Sequence, residues 1–170
     1  MTFEPEKGRL LEGEPTTYNL LFVCTGNTCR SPLAAAISTR AIEGRGWSHV
    51  QVRSAGIASG PGSPATEAAV EVAAEHELDL SGHMSQPLTP ELLAWADLVL
   101  AMSASHLAAV AEMGAGDKAA LITEFMRDGE AGAPIEDPFG GDVEQYRETY
   151  RQLERAIAAL LDRLEPILAP

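Results

Sequence analysis

Residues 22 to 32 read Phe22-Val23-Cys24-Thr25-Gly26-Asn27-Thr28-Cys29-Arg30-Ser31-Pro32. An apolar run ends in a cysteine, an arginine follows six positions later, and a helix start lies behind it. The arrangement predicts a phosphate cradle with a nucleophile in its floor. A thiol attacks only as thiolate, which helix N-termini and neighbouring cations favour. Ser31 is a good N-cap and Pro32 a good first helical residue, so the preceding amides can turn inward and meet an anion at the positive helix end. Arg30 supplies a planar, permanently charged fork matched to two phosphoryl oxygens. Gly26 and Asn27 tolerate the left-handed backbone that a loop folding back around an anion requires. Cys24 as a buried core cysteine and Arg30 as a surface residue is the alternative, and the flanking strand-like and helix-start residues argue against it.

The rest of the chain supplies strands alternating with helices. Tyr18 to Val23 suits a strand buried on both faces, and Leu33, Ala34, Ile37 and Ala41 recur at helical spacing until Gly44 and Gly46. Val50, Val52 and Ser54 alternate with polar residues, as in an edge strand. Helices are expected over Ala65–His76, over Leu88–Ala96 starting at Thr89-Pro90-Glu91, and from a Ser103 cap to about Met113. Leu98–Met102 and Ala119–Ile122 read as strands. Val143, Tyr146, Tyr150, Leu153, Ile157, Leu160 and Leu164 recur in steps of three and four, predicting one long amphipathic helix that ends at Pro166. The pattern predicts a parallel sheet covered on both faces, with the site at the carboxyl ends of the strands. Residues 1–17, rich in Glu, Gly and Pro, read as a poorly ordered N-terminal extension, leaving 18–170 as a single domain.

Composition narrows the function classes. The chain has 170 residues and is 45% hydrophobic, enough for one domain with a sizeable core. Its formal net charge of −13 argues against nonspecific binding to nucleic acid or to an anionic membrane surface. No segment approaches the ~20 apolar residues of a membrane span. The 2 cysteines, Cys24 and Cys29, share one loop, so there is no secreted-type disulfide framework and a reducing cytoplasm is the default compartment. The 4 histidines, His49, His76, His83 and His106, are scattered, so no metal site or cofactor is expected.

A cysteine that attacks phosphorus needs a general acid to protonate the leaving group. Asp137 in Ile135-Glu136-Asp137-Pro138-Phe139-Gly140-Gly141 is the candidate, because Pro138 biases it towards an extended backbone that projects its carboxylate. Alone, Asp137-Pro138 is an ordinary turn.

Taken together, Cys24 to Ser31 with Asp137-Pro138-Phe139 resembles the low-molecular-weight protein tyrosine phosphatases, and more closely their bacterial branch that acts on phosphoarginine in proteins. Arg53-Ser54-Ala55-Gly56, His83 with Ser85-Gln86-Pro87-Leu88-Thr89, Ala96-Asp97-Leu98-Val99-Leu100-Ala101-Met102 and Asp137-Pro138-Phe139-Gly140-Gly141 extend the likeness over residues 18 to 165. The resemblance implies a four-stranded parallel sheet in the order 2-1-3-4 with helices on both faces. It implies a two-step reaction on phosphorylated protein substrates, in which Cys24 takes the phosphoryl group and water releases it. By the same resemblance Thr25, Gly26, Asn27, Thr28, Cys29 and Arg30 bind phosphate, and Asp137 protonates the leaving group before activating water. Ser31 matches a hydroxyl that bonds the thiolate, while Asn27, Ser54 and His83 match a network that supports the loop. The other three histidines are left as structural or exposed.

Thr28 points to phosphoarginine. In the family this position is usually aliphatic in tyrosine phosphatases and threonine in the arginine branch, and a hydroxyl offers a polar partner where isoleucine offers bulk. Asp137-Pro138-Phe139-Gly140 also lacks the paired aromatics that line a phenyl slot. Ile57-Ala58-Ser59-Gly60 departs from the arginine branch, whose members carry an aromatic there, so phosphotyrosine stands as the alternative substrate. Arsenate reduction needs further resolving cysteines that the chain lacks, and a purely phosphate-binding module would not need both Cys24 and Asp137. Cys29, in a loop curled around one anion, is the candidate redox partner of Cys24. Its alternative role is that of a small buried filler.

Overall fold

The computed structural model describes residues 17–169. The extension read over residues 1–17 lies, apart from Thr17, outside the described residues. Four strands, β1 (Tyr18–Cys24), β2 (Val50–Gly56), β3 (Leu98–Ala101) and β4 (Ala119–Leu121), form one parallel sheet in the order β2-β1-β3-β4. The helices are α1 (Arg30–Gly44), α2 (Glu67–Glu75), α3 (Pro90–Trp95), α4 (Ala104–Glu112) and α5 (Val143–Leu168). The 2-1-3-4 order and the edge position of β2 are as expected.

The apolar run of β1 is continuous because both its faces are covered. Leu20, Phe22 and Cys24 point into the larger core, with Leu33 and Ile37 of α1, Ala69 and Val72 of α2, and Leu153, Ile157 and Leu160 of α5. Leu21 and Val23 point the other way, onto Leu92 and Leu93 of α3 and Val110 of α4. The period-two alternation of a strand thus sorts one apolar run between two cores. Each Leu or Phe buried in this way contributes about 1.5–3 kcal/mol relative to exposure.

Three local expectations need correction. Helix α1 begins at Arg30 with Cys29 in the cap position, so Ser31 is not the N-cap and Pro32 is not the first helical residue. Pro32 still lies in the first turn, where its missing N–H has no intrahelical acceptor to lose. Gly26 does not adopt positive φ, whereas Asn27 does, at 58°. Helix α5 does not end at Pro166 but runs on to Leu168, which is buried. Its end is pinned by Arg45 at the C-terminus of α1, whose guanidinium pairs with Asp162 at 2.8 Å and Glu165 at 3.0 Å. At its start, Asp142 and Gln145 form a reciprocal capping box, each side chain accepting from the other's backbone N–H at 2.9 Å. No described helix is long and apolar enough to cross a membrane.

Candidate active site

The loop between β1 and α1 lies at the carboxyl end of the sheet, and four of its carbonyls are engaged from outside. Cys24 O accepts from Ile57 N at 2.9 Å, Thr25 O from Ala58 N at 2.9 Å, Asn27 O from His83 Nε2 at 2.7 Å and Thr28 O from Thr66 N at 3.0 Å. With the carbonyls turned outward, the amides of residues 26–30 have no hydrogen-bond acceptor among the described residues. Unpaired amides gathered at a helix N-terminus form an anion-binding concavity. Gly56 permits the tight wrap, since a Cβ there would fall 2.6 Å from Thr25 O and 3.0 Å from Asn27 N.

Asn27 holds the loop's left-handed turn from its centre. Gln86 N donates to Asn27 Oδ1 at 2.9 Å, which fixes the amide's orientation, and Asn27 Nδ2 then donates to Ser31 Oγ at 2.8 Å and Ser54 Oγ at 2.9 Å. Ser31 Oγ, already an acceptor from Asn27, has its own proton free for Cys24 Sγ, 2.9 Å away. This duty explains why Ser31 does not cap the helix. The structure therefore brings Asn27, Ser31, Ser54 and His83 together around the loop.

Arg30 is 5% exposed, a buried cation aimed across the loop. Its Nη1 donates to Ile135 O at 3.0 Å, and its Nη2 lies 3.5 Å from both Thr25 Oγ1 and Asp137 Oδ2. Arg30 Nε is buried with no partner among the described residues. A buried guanidinium with an unfilled donor suits an oxyanion. Asp137 is half-exposed, and its Oδ1 accepts from Phe139 N at 3.1 Å, which holds the turn that presents Oδ2 to Arg30. Gly140, at φ 83°, supplies the bend that returns the chain from this turn to α5.

Cys24, Thr25, Gly26, Thr28, Cys29, Arg30, Asp137 and Phe139 line one cavity of about 220 Å³. A larger groove of about 570 Å³ beside Trp47 and β2 contains neither cysteine nor arginine, so the chemistry selects the smaller cavity. Phe139 at its rim is 69% exposed.

Two further residues reach the loop that the sequence reading did not place there. His106 Nε2 lies 2.8 Å from Thr25 Oγ1. Tyr146, expected only as a core residue of the long helix, puts its hydroxyl 3.3 Å from Cys29 Sγ and accepts from Thr66 Oγ1 at 3.1 Å. A signal for His106 exists in Met102-Ser103-Ala104-Ser105-His106, a polar first turn directly after β3, at the same sheet edge as the Cys24 loop.

A strand ending in a buried cysteine, an amide-lined loop, an arginine at a helix start and a facing carboxylate define a cysteine-dependent phosphatase. The family model described as low molecular weight phosphotyrosine protein phosphatase matches residues 19–167, and the chain belongs to that family. It is 41% identical over 149 residues to a protein-arginine-phosphatase of Bacillus subtilis (strain 168), covering 86% of this chain and 97% of that protein. It is 34% identical over 148 residues to the low molecular weight protein-tyrosine-phosphatase Etp of Escherichia coli (strain K12), covering 86% and 94%. Among solved structures, a YwlE arginine phosphatase mutant with a phosphorylated active-site serine in place of cysteine superposes with a TM-score of 0.82 at 38% identity, covering 88% and 97%.

Proposed function

We propose that this phosphatase hydrolyses phosphoarginine in proteins through a cysteinyl-phosphate intermediate. The observation that carries the substrate assignment is Thr28. Its half-buried side chain lines the cavity, and its Oγ1 has no described protein partner nearer than Cys29 Sγ at 3.8 Å. The hydroxyl is therefore free for the substrate. A phosphorylated guanidine presents N–H donors beside phosphorus, and Thr28 Oγ1 can accept one. The higher identity to a protein named as an arginine phosphatase than to one named as a tyrosine phosphatase supports the same reading.

In the first step the Cys24 thiolate attacks phosphorus and the P–N bond breaks. The departing guanidine nitrogen takes its proton from Asp137. The loop amides and Arg30 hold the three non-bridging oxygens throughout, and the Ser31 hydroxyl stabilises the sulfur as nucleophile and later as leaving group. In the second step the Asp137 carboxylate removes a proton from water, which attacks phosphorus and breaks the P–S bond. Phosphate leaves, and the thiolate is restored. The phosphorylated serine of the YwlE mutant is consistent with a phosphoryl group carried on the residue at the Cys24 position.

We further propose that the enzyme works in the cytoplasm, where Cys24 is kept reduced, and that oxidation pairs it with Cys29. Both thiols are free in this structure. One observation favours phosphotyrosine instead, namely the exposed Phe139 at the cavity rim, which offers an aromatic face to a phenyl ring. Measuring kcat/KM on phosphoarginine and phosphotyrosine peptides of one sequence decides between them. The proposal expects the first to be larger, and a larger second value overturns it.

A further inference from the structure

Among the described residues His106 is the only buried histidine, 5% exposed, and the two-step reaction above gives it no role. It lies one turn into α4, directly beyond β3, at the sheet edge that holds the Cys24 loop. Its Nδ1 is 3.1 Å from Ser103 Oγ and its Nε2 is 2.8 Å from Thr25 Oγ1. Thr25 Oγ1 in turn lies 3.5 Å from Arg30 Nη2, which is also the nitrogen nearest Asp137.

A guanidinium only donates, so the Thr25 oxygen accepts from Arg30, and with the neutral His106 ring in its Nδ1–H tautomer the Thr25 proton goes to His106 Nε2. His106 Nδ1–H then donates to Ser103 Oγ, and the Ser103 hydroxyl to Ser105 Oγ at 3.0 Å. Such an order needs a neutral ring with Nε2 unprotonated. Burial, reinforced by the charge of Arg30 and opposed by that of Asp137, pushes the His106 pKa down to about 4, which keeps the ring neutral. Thr25 itself is exposed, and apart from Arg30 and His106 its hydroxyl has no partner among the described residues.

We propose that His106 is a positioning residue that acts through Thr25 to hold the Arg30 guanidinium in place for the phosphoryl oxygens. By accepting the Thr25 proton, the ring turns the lone pairs of that oxygen towards Nη2 and gives the fork an anchor besides Ile135 O and Asp137. Without the ring the Thr25 hydroxyl rotates freely and the anchor weakens. The effect falls on oxyanion binding and not on the leaving group, so it holds whether the substrate is phosphoarginine or phosphotyrosine.

The test compares the wild type with Thr25→Val, His106→Leu, His106→Gln and the Thr25→Val/His106→Leu double variant. The readouts are inhibition by inorganic phosphate and kcat/KM on an aryl phosphate. Thr25→Val and His106→Leu should each weaken phosphate inhibition and lower kcat/KM by about 3- to 10-fold, the size of one lost neutral hydrogen bond. The double variant should be no worse than the poorer single one, because both remove the same link. His106→Gln, whose amide oxygen can accept from Thr25, should recover most of the loss. If His106→Leu does not fold, His106→Asn, whose shorter amide matches the Nδ1 side of the ring facing Ser103 and not the Nε2 side facing Thr25, takes its place and should show the same loss. Unchanged phosphate inhibition in Thr25→Val, multiplicative losses in the double variant, or no recovery with glutamine would each overturn the proposal.

Discussion

The Tyr146 hydroxyl lies 3.3 Å from Cys29 Sγ while accepting a hydrogen bond from Thr66, so its own proton is directed at the sulfur. The long helix α5 thereby reaches into the wall of the anion loop. Burial, with the bond to Cys29, pushes the Tyr146 pKa up to about 12, so the phenol is a donor at any ordinary pH. Tyr146→Phe removes the donor and leaves the ring. Stability should fall by about 0.5–1.5 kcal/mol, read from urea unfolding, and Cys29 should react faster with a thiol reagent. Unchanged values for both would show that the contact holds nothing.

Oxidation tests the proposed pairing of Cys24 with Cys29. Peroxide converts the Cys24 thiolate to a sulfenic acid, and attack by Cys29 sulfur then expels water and forms the disulfide. The wild type should recover activity on addition of a thiol reductant. Cys29→Ala should lose more activity irreversibly, since nothing then intercepts the sulfenic acid before further oxidation. Equal recovery in the two proteins would make Cys29 a filler.

The depressed value of His106 fixes a pH dependence of stability. The unfolded chain protonates this ring near its ordinary value of 6.5, the folded chain only near about 4. Between these values the unfolded state binds more protons, so stability falls as the pH drops through that window. In His106→Gln this contribution is gone. Unfolding midpoints of the two proteins should run parallel above about pH 6.5 and converge or cross between there and about pH 4. Parallel curves over the whole range would mean that the ring is not held neutral.

Asp137 lies 3.5 Å from Arg30 and half in solvent, where its carboxyl can exchange protons with substrate and water. Asp137→Asn should lower kcat on a poor leaving group by ~10²–10⁴-fold, and by much less on an activated aryl phosphate. An equal loss on both substrates would point to a binding role in place of proton transfer.

The parts of the site that were legible in the sequence are those whose function resides in contiguous residues. Cys24 to Ser31 carries the cysteine, the arginine and the turn in one stretch, and Asp137-Pro138 announces a projecting carboxylate. Ser31 misled as a cap because a serine before proline has the same local signature whether its hydroxyl bonds the helix or, as here, Cys24 Sγ. Pro166 misled because a local rule for stopping a helix was outweighed by the burial of Leu168 beyond it. His106 and Tyr146 were not legible, since only the folded sheet edge brings residue 106 to residue 25, and only the packing of α5 brings Tyr146 to Cys29. The Ile135 carbonyl that anchors Arg30 has no side-chain signature at all.

The most direct measurement of the account is the ratio of kcat/KM on phosphoarginine and phosphotyrosine peptides of one sequence, taken for the wild type and for Thr28→Ile. Losing a hydrogen bond to a charged group costs ~1.5–3 kcal/mol, or about one to two decades in kcat/KM. The wild type should favour phosphoarginine. Thr28→Ile should lower that activity by one to two decades while phosphotyrosine turnover holds or rises, because Cys24, Arg30 and Asp137 are untouched. A wild type that prefers phosphotyrosine, or a parallel fall of both activities in the variant, would contradict the assignment.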